Sequence, residues 1–188
     1  MTQIKLSNNV RVSDPCYTDD VWCKTKLTDV LPGNYNVFIE KGDEHGWGTR
    51  VKSVRVIHED FSDSGDWEEH SEIGVDSGQA GIFCETSYRN DTIAEGIETP
   101  PNDFKISGKS EGDLWYEKMC DFTLSKDQCG IYETGVVTSS GIGDGGYPLD
   151  IIREKNGYIV GMRITYLFDE DYEEEEEEYE EEEVEDEE

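Results

Sequence analysis

The stretch LDIIREKNGYIVGMRITYL, residues 149–167, decides the fold class of this chain. Two runs rich in β-branched and aromatic residues flank the dipeptide Asn156-Gly157. Asn-Gly supplies the positive φ values of a tight primed turn at little steric cost. The stretch therefore predicts a β-hairpin.

Short runs of β type, separated by turn signals, recur upstream of this hairpin. Tyr35, Val37 and Ile39 recur at every second position after a Pro-Gly-Asn turn at 32–34, and residues 50–58 repeat that period with Val54, Val56 and His58. The segment 41–48 between them is typical of a hairpin connection. Further strands are predicted at residues 73–75, 80–83, 131–138 and 147–153.

One stretch has a helical period instead. Residues 110–113 can serve as a helix start, and Trp115, Met119 and Phe122 then recur at intervals of four and three. The sequence therefore predicts a β-dominated α+β fold, an antiparallel sheet or sandwich with one amphipathic helix.

The charge of the chain is concentrated at its C-terminal end. Of the formal net charge of −30, residues 169–188 contribute 17 acids and no base, whereas residues 1–168 carry a net −13. Like charges repel each other in any compact form. We therefore expect one globular domain over 1–168 and a disordered acidic tail over 169–188.

This charge balance excludes some partners and favours others. A DNA or RNA binder needs a basic face, and anionic membranes attract Lys and Arg, so neither direct nucleic-acid binding nor membrane binding is expected. No apolar run approaches the ~20 residues of a membrane helix. A run of carboxylates can instead imitate nucleic acid and occupy a basic protein surface, with strong sensitivity to salt. The alternative is that the tail only keeps the protein in solution.

The cysteines and the first residues bear on the compartment. Residues 1–9 lack the apolar core of a secretory signal, and the five cysteines are an odd number with spacings that match no zinc motif. These features predict reduced thiols and a cytoplasmic location.

Three segments combine Asp with Gly, Pro or Ser, at residues 12–17, 74–81 and 139–148. If they converge, Asp14, Asp76 and Asp144 could hold a divalent cation such as Mg²⁺ or Ca²⁺ through oxygen ligands. The alternative is that each Asp tightens its own turn by accepting a hydrogen bond from a nearby backbone amide.

The glycine-rich segment suggests a second kind of ligand. Backbone amides of Gly143, Gly145 and Gly146 could receive a small anion, such as a nucleotide. The candidate ligand-binding residues are therefore Asp14, Asp76, Ser77, Gln79, Gly143, Asp144, Gly145, Gly146 and Tyr147.

The quoted segments resemble a known family. The runs at 12–17, 33–37, 74–83 and 143–148, with Trp115-Tyr116 and Cys120, are similar to the family catalogued as domain of unknown function 4241. The likeness covers about residues 10–168 in the family's order. The family occurs in bacteria and bacteriophages and has no settled activity, so the resemblance implies no catalytic set. Its members typically have an acid where this chain has Cys84.

Two classes of function remain open. The first is a non-enzymatic binding protein, phage-encoded and acting in the host cytoplasm. It would engage a host defence or nucleic-acid-handling protein that is basic, or capture a small anionic ligand. The second is a metal-dependent hydrolase in which Asp14, Asp76 and Asp144 are ligands and His58 or His70 is the general base. An exposed sheet edge could also pair two copies into a homodimer.

Overall fold

A computed structural model describes residues 2–17, 24–63, 65–89 and 111–168. Within these ranges the chain forms eleven β-strands and one α-helix, which confirms the predicted β-dominated class. The helix α1 spans Glu111–Thr123. The strands are β1 Gln3–Leu6, β2 Val10–Ser13, β3 Thr25–Leu27, β4 Gly33–Asp43, β5 Thr49–His58, β6 Glu68–Val75, β7 Gln79–Cys84, β8 Cys129–Tyr132, β9 Gly135–Ser139, β10 Gly145–Arg153 and β11 Ile159–Thr165.

The strands form two sheets in which every neighbouring pair is antiparallel. The larger sheet has the order β1-β4-β5-β11-β10-β6, and the smaller has the order β3-β2-β7-β9-β8. Although β6 and β7 are consecutive, they belong to different sheets. The chain therefore crosses from one sheet to the other at residues 76–78.

Apolar residues of both sheets fill one core, as expected for a sandwich. Alternate residues of β4, β5, β10 and β11 face residues of β2, β7 and β9, and the largest fully buried side chains include Tyr35, Ile82 and Met162. A second, smaller cluster lies on the other face of the five-stranded sheet. There α1 packs Met119 and Trp115 against Phe83.

The hairpin of residues 149–167 is present, but its turn differs from the predicted one. Arg153 pairs with Ile159, the Gly157 amide donates to the Glu154 carbonyl at 2.8 Å, and the Glu154 amide donates to Tyr158 at 2.9 Å. Gly157 has a positive φ of 92°, whereas Asn156 is not among the positive-φ residues. The prediction of a tight primed turn is therefore wrong, because a longer loop needs the left-handed conformation at the glycine only.

The single strand predicted over 131–138 is two strands, β8 and β9, joined by a tight connection. Tyr132 pairs with Gly135, and Glu133 between them has a positive φ of 51°. The connection 41–48 is confirmed in outline, since β4 and β5 pair across it.

Helix α1 begins at Glu111, next to its predicted start, while Ser110 and the acidic tail 169–188 lie outside the described residues. No helix in the described ranges has the length and apolar character needed to cross a membrane. The edge strands are β1 and β6 in the six-stranded sheet, and β3 and β8 in the five-stranded sheet.

Candidate functional site

The Asp14 carboxylate lies where the loop after β2 meets the crossing at residues 76–78, and it is fully buried. Its Oδ1 accepts from the Cys16 amide at 2.7 Å and from the Ser77 hydroxyl at 2.6 Å. Its Oδ2 accepts from the amides of Asp76 at 2.9 Å and Ser77 at 2.7 Å. A carboxylate offers about four acceptor positions, and four donors occupy them here. Asp14 therefore fastens the crossing at 76–78 to the loop that follows β2.

That loop is held from outside as well. The Tyr88 hydroxyl donates to the carbonyls of Asp14 at 3.0 Å and Tyr17 at 2.7 Å, and Arg89 donates to the Cys16 carbonyl at 3.1 Å. The Arg11 guanidinium stacks on the Tyr88 ring at 4.1 Å. The surroundings of Asp14 are thus a rigid, hydrogen-bonded framework.

The glycine-rich segment joins the same framework through its backbone. The Ser140 amide donates to the Gly78 carbonyl at 3.1 Å. The Gly143 carbonyl accepts from the Ser140 hydroxyl at 2.8 Å and from the Tyr147 hydroxyl at 2.7 Å. All three Asp-containing segments therefore meet at one end of the sandwich.

The predicted anion nest finds no support in this loop. The Gly143 amide already donates to the Ser140 carbonyl at 3.1 Å, and Gly145 and Gly146 pair with Val75 and Gly74 as the first residues of β10. A nest needs consecutive amides that point at the ligand. This segment instead builds a turn and the start of β10.

The predicted metal site is not supported either. Asp76 and Asp144 have exposed side chains, but the oxygens of Asp14 are filled by hydrogen-bond donors. Across the described ranges, no group of three His, Cys, Asp or Glu side chains is placed to hold a metal ion. The turn-building alternative therefore accounts for Asp14, and it does so across segments and not only within its own turn.

The histidines named as general bases lie apart from these aspartates. His58 is buried, and its Nδ1 accepts a hydrogen bond from the Asp60 amide. The His58 ring packs edge-on against Tyr35, with ring centroids 5.2 Å apart. His70 is exposed on β6. Among the described residues, neither histidine contacts the carboxylate of Asp14, Asp76 or Asp144.

Sequence reasoning overlooked the side of α1 that covers these loops. The buried Gln79 donates to Cys120 Sγ at 3.4 Å and accepts from the Thr123 hydroxyl at 3.1 Å. Burial, and then the nearby Cys120, raise the pKa of Tyr116 although the Ser77 hydroxyl lowers it. Both polar atoms of the Gln79 side chain are therefore hydrogen-bonded to α1. The segments behind the family resemblance provided a signal, because Tyr116 and Cys120 were among them.

Two residues with nucleophilic side chains contact Asp14, namely Ser77 through its hydroxyl and Cys16, and the surroundings of Cys16 keep its thiol protonated. Burial, followed by the charge of the Asp14 carboxylate, raises the pKa of the Cys16 thiol to about 12. At pH 8 the thiolate would then be on the order of one part in ten thousand, against a substantial fraction for an ordinary thiol with a pKa of about 8.5.

We expect Cys16 to react with iodoacetamide at pH 8 at least about 100-fold more slowly in the folded protein than in urea, since the thiolate is the reacting form. Peptide mass spectrometry at timed intervals measures this rate. Equal rates in both conditions would contradict the suppressed thiol.

The described residues include a surface segment that is rich in acidic residues. Between the end of β5 and the middle of the edge strand β6, residues 59–72 contain no Lys or Arg. Seven acids in this segment, all exposed, form what we call the acidic edge: Glu59, Asp60, Asp63, Asp66, Glu68, Glu69 and Glu72.

Ion pairs neutralise only part of the acidic edge. Asp63 lies 3.3 Å from Arg55, and Glu68 lies 3.3 Å from Arg153. Glu69 and Glu72 have no cationic partner among the described residues. Their charges therefore face solvent along a strand whose outer edge is not hydrogen-bonded to another strand of its sheet.

Comparisons with family models, curated proteins and solved structures found no match to this chain. The resemblance to domain of unknown function 4241 therefore stays a prediction. At the position where that family has an acid, Cys84 is buried and its Sγ accepts the Ser7 amide at 3.1 Å.

Proposed function

We propose that the protein is a non-enzymatic binding protein that engages a basic protein through its acidic surface. The observation that carries this proposal is the acidic edge, where Glu69 and Glu72 lie on an edge strand with no cationic partner among the described residues. Residues 169–188 add 17 further acids. A nucleic-acid-handling or defence protein of a phage host fits as the partner, because such proteins carry basic surfaces that carboxylates can occupy.

The contacts around Asp14 support binding over catalysis. A catalytic site needs a nucleophile within reach of a base, and a cavity in which a reacting atom can sit. The nearest thiol, Cys16, has its pKa raised to about 12, and the Asp14 oxygens are filled. The four hydrogen bonds to Asp14 support a role as a scaffold for the loops over a role as a metal ligand.

The acidic edge can be tested by neutralising three acids that have no Lys or Arg partner among the described residues, of which Asp60 lies 3.9 Å from His58 Nδ1. We expect Asp60→Asn, Glu69→Gln and Glu72→Gln together to reduce capture of basic proteins from a host lysate by about tenfold at low salt, because the field that steers association is weakened. Capture by the wild-type chain should fall as salt rises. Quantitative mass spectrometry of the captured proteins measures both effects.

A matched control removes the same charge elsewhere. Glu111→Gln, Asp127→Asn and Glu133→Gln change three exposed acids outside the acidic edge and should leave capture within about twofold of wild type, since such long-range effects are screened. A chain of unchanged length, with the acids of 169–188 replaced by Gln or Asn, measures the contribution of the tail. Salt-resistant capture that is equal for all four chains would overturn the proposal.

A further inference from the structure

An apolar groove lies at one margin of the sandwich, between β4 and the edge strand β8. Its volume of about 360 Å³ falls within the roughly 300–1,000 Å³ that is typical of small-molecule sites. The residues that line it carry no acid and no base: Thr2, Val37, Ile39, Cys129, Gly130 and Ile131. The groove therefore offers an apolar molecule a place between the two sheets.

Side chains of β4 give the groove one wall and a charged end. Val37, Ile39 and Lys41 are each paired with a buried valine of β5. Because paired residues of neighbouring strands project from the same face, all three side chains lie on the core side of β4. The row consists of two apolar side chains and then an ammonium group, and Lys41 is exposed.

The opposite wall comes from β8. A Cβ at Gly130 would meet the ring of Phe122, so Gly130 faces the helix α1. Cys129 and Ile131 alternate with Gly130 along the strand and therefore face away from the helix, into the groove. Each sheet thus contributes apolar side chains to the groove.

Lys41 is fixed at the end of the groove where β8 begins. Its Nζ donates to the carbonyl of Asp127 at 2.6 Å. An ammonium group has three donors, so two remain for other acceptors. Among the described residues, no carboxylate forms an ion pair with Lys41. An exposed, positioned cation without a paired anion therefore stands at one end of an apolar groove.

The charge at this end favours an anionic group. Burial raises the pKa of the Cys129 thiol, the charge of Lys41 lowers it, and the smaller effect of Asp127 raises it. At the Cys129 sulfur, the ammonium group of Lys41 therefore outweighs the carboxylate of Asp127. The polarity of the groove thus changes from apolar along its length to positive at one end.

We propose that this groove binds a short aliphatic carboxylate, with its chain between β4 and β8 and its carboxylate at Lys41. The chain is removed from water against Val37, Ile39 and Ile131, and this burial is the main source of affinity. The carboxylate accepts from the remaining Lys41 donors and fixes the direction in which the chain lies. The alternative is that Lys41 only holds the loop before β8, and it predicts no ligand.

The test measures the affinity of the full chain for butanoate, hexanoate, octanoate and octanol by calorimetry, below the concentrations at which octanoate forms micelles. We expect saturable binding of octanoate and an affinity that rises about threefold with each added methylene. Lys41→Gln should weaken octanoate binding about threefold to fivefold, as for an exposed charge pair, and should leave octanol within about twofold. Lys155→Gln removes the same charge in the exposed β10–β11 connection and should bind as wild type does.

Two further measurements locate the ligand. Saturating octanoate should slow the alkylation of Cys129 by iodoacetamide several-fold and leave that of Cys120, which lies in α1, unchanged. Ile131→Ala should weaken octanoate and octanol alike, by about fivefold, because the apolar wall is reduced. If Ile131→Ala does not fold, Ile39→Val removes a single carbon from the other wall and should weaken both ligands about twofold.

The proposal is overturned if octanoate shows no saturable binding, if affinity does not rise with chain length, or if Lys41→Gln leaves octanoate affinity unchanged. Equal protection of Cys129 and Cys120 would also overturn it, because the ligand would then act on the whole fold. An equal loss of octanoate and octanol in Lys41→Gln would exclude the carboxylate contact. The strand β6 lies at the opposite margin of the larger sheet, so each of these failures would leave the proposed protein partner untouched.

Discussion

Asp14→Ala is expected to lower the free energy of unfolding by roughly 3–5 kcal/mol. The substitution removes a buried carboxylate that accepts four hydrogen bonds. The amides of Cys16, Asp76 and Ser77 would then be left without a partner in a site closed to water, and each such group is costly. Asp14→Asn should lose less, because one amide oxygen still accepts while the new NH₂ group faces donors.

Urea unfolding followed by circular dichroism measures the effect, with Asp76→Ala as the matched control. Asp76 contributes its backbone amide to the framework and has an exposed side chain, so Asp76→Ala should change stability by less than about 0.5 kcal/mol. Similar losses for the two variants would contradict a structural role confined to Asp14. If Mg²⁺ stabilised wild type and Asp76→Ala removed that gain, the metal hypothesis would return.

Local sequence patterns predicted the strands whose side chains alternate, and they failed where partners are distant. The segments 35–39 and 50–58 were recognised because each alternates over a length sufficient to show the period. The strands β1, β2 and β3 have only three or four residues each, too few to show one. The division of β6 and β7 between two sheets depends on their pairing with strands distant in sequence. The residues of the turn between β6 and β7 do not indicate those partners.

The same limit applies to the sites. The residue types at 14, 76 and 144 fitted both a metal centre and turn-building, and the four donors that occupy the Asp14 oxygens favour turn-building. The groove between β4 and β8 could not be predicted, because it exists only through the packing of one sheet on the other. Chemistry can therefore be proposed from a sequence, while the contacts that select among proposals come from the fold.

Gly81→Ala is expected to lower stability by about 3 kcal/mol, at the upper end of the usual cost of overpacking a core. Gly81 lies in β7, between β2 and β9. A Cβ there would come 2.3 Å from Phe83 Cζ and 2.5 Å from the Val136 carbonyl oxygen. Because the Phe83 ring also lies over Gly135, it has little space into which to move. For a chain of this size the melting temperature should fall by roughly 6–12 °C.

Gly46→Ala is the control, because a Cβ at Gly46 would have no atom within 4 Å and its φ is not positive. It should melt within about 1–2 °C of wild type, as surface substitutions usually do. A Gly81→Ala melt as high as that of Gly46→Ala would contradict the packing of Phe83 on the glycine.

The consequence of Gly81→Ala should reach the loops at the end of the sandwich. Phe83 contacts Trp115 of α1 with ring centroids 5.3 Å apart, and the same helix places Cys120 on Gln79. A displaced Phe83 would loosen the helix, so Trp115 should become more exposed to an external fluorescence quencher. If Phe83 transmits the effect, Phe83→Leu in the Gly81→Ala background should cost less stability than Phe83→Leu alone. Additive losses would assign the whole clash to the Val136 carbonyl and not to the ring.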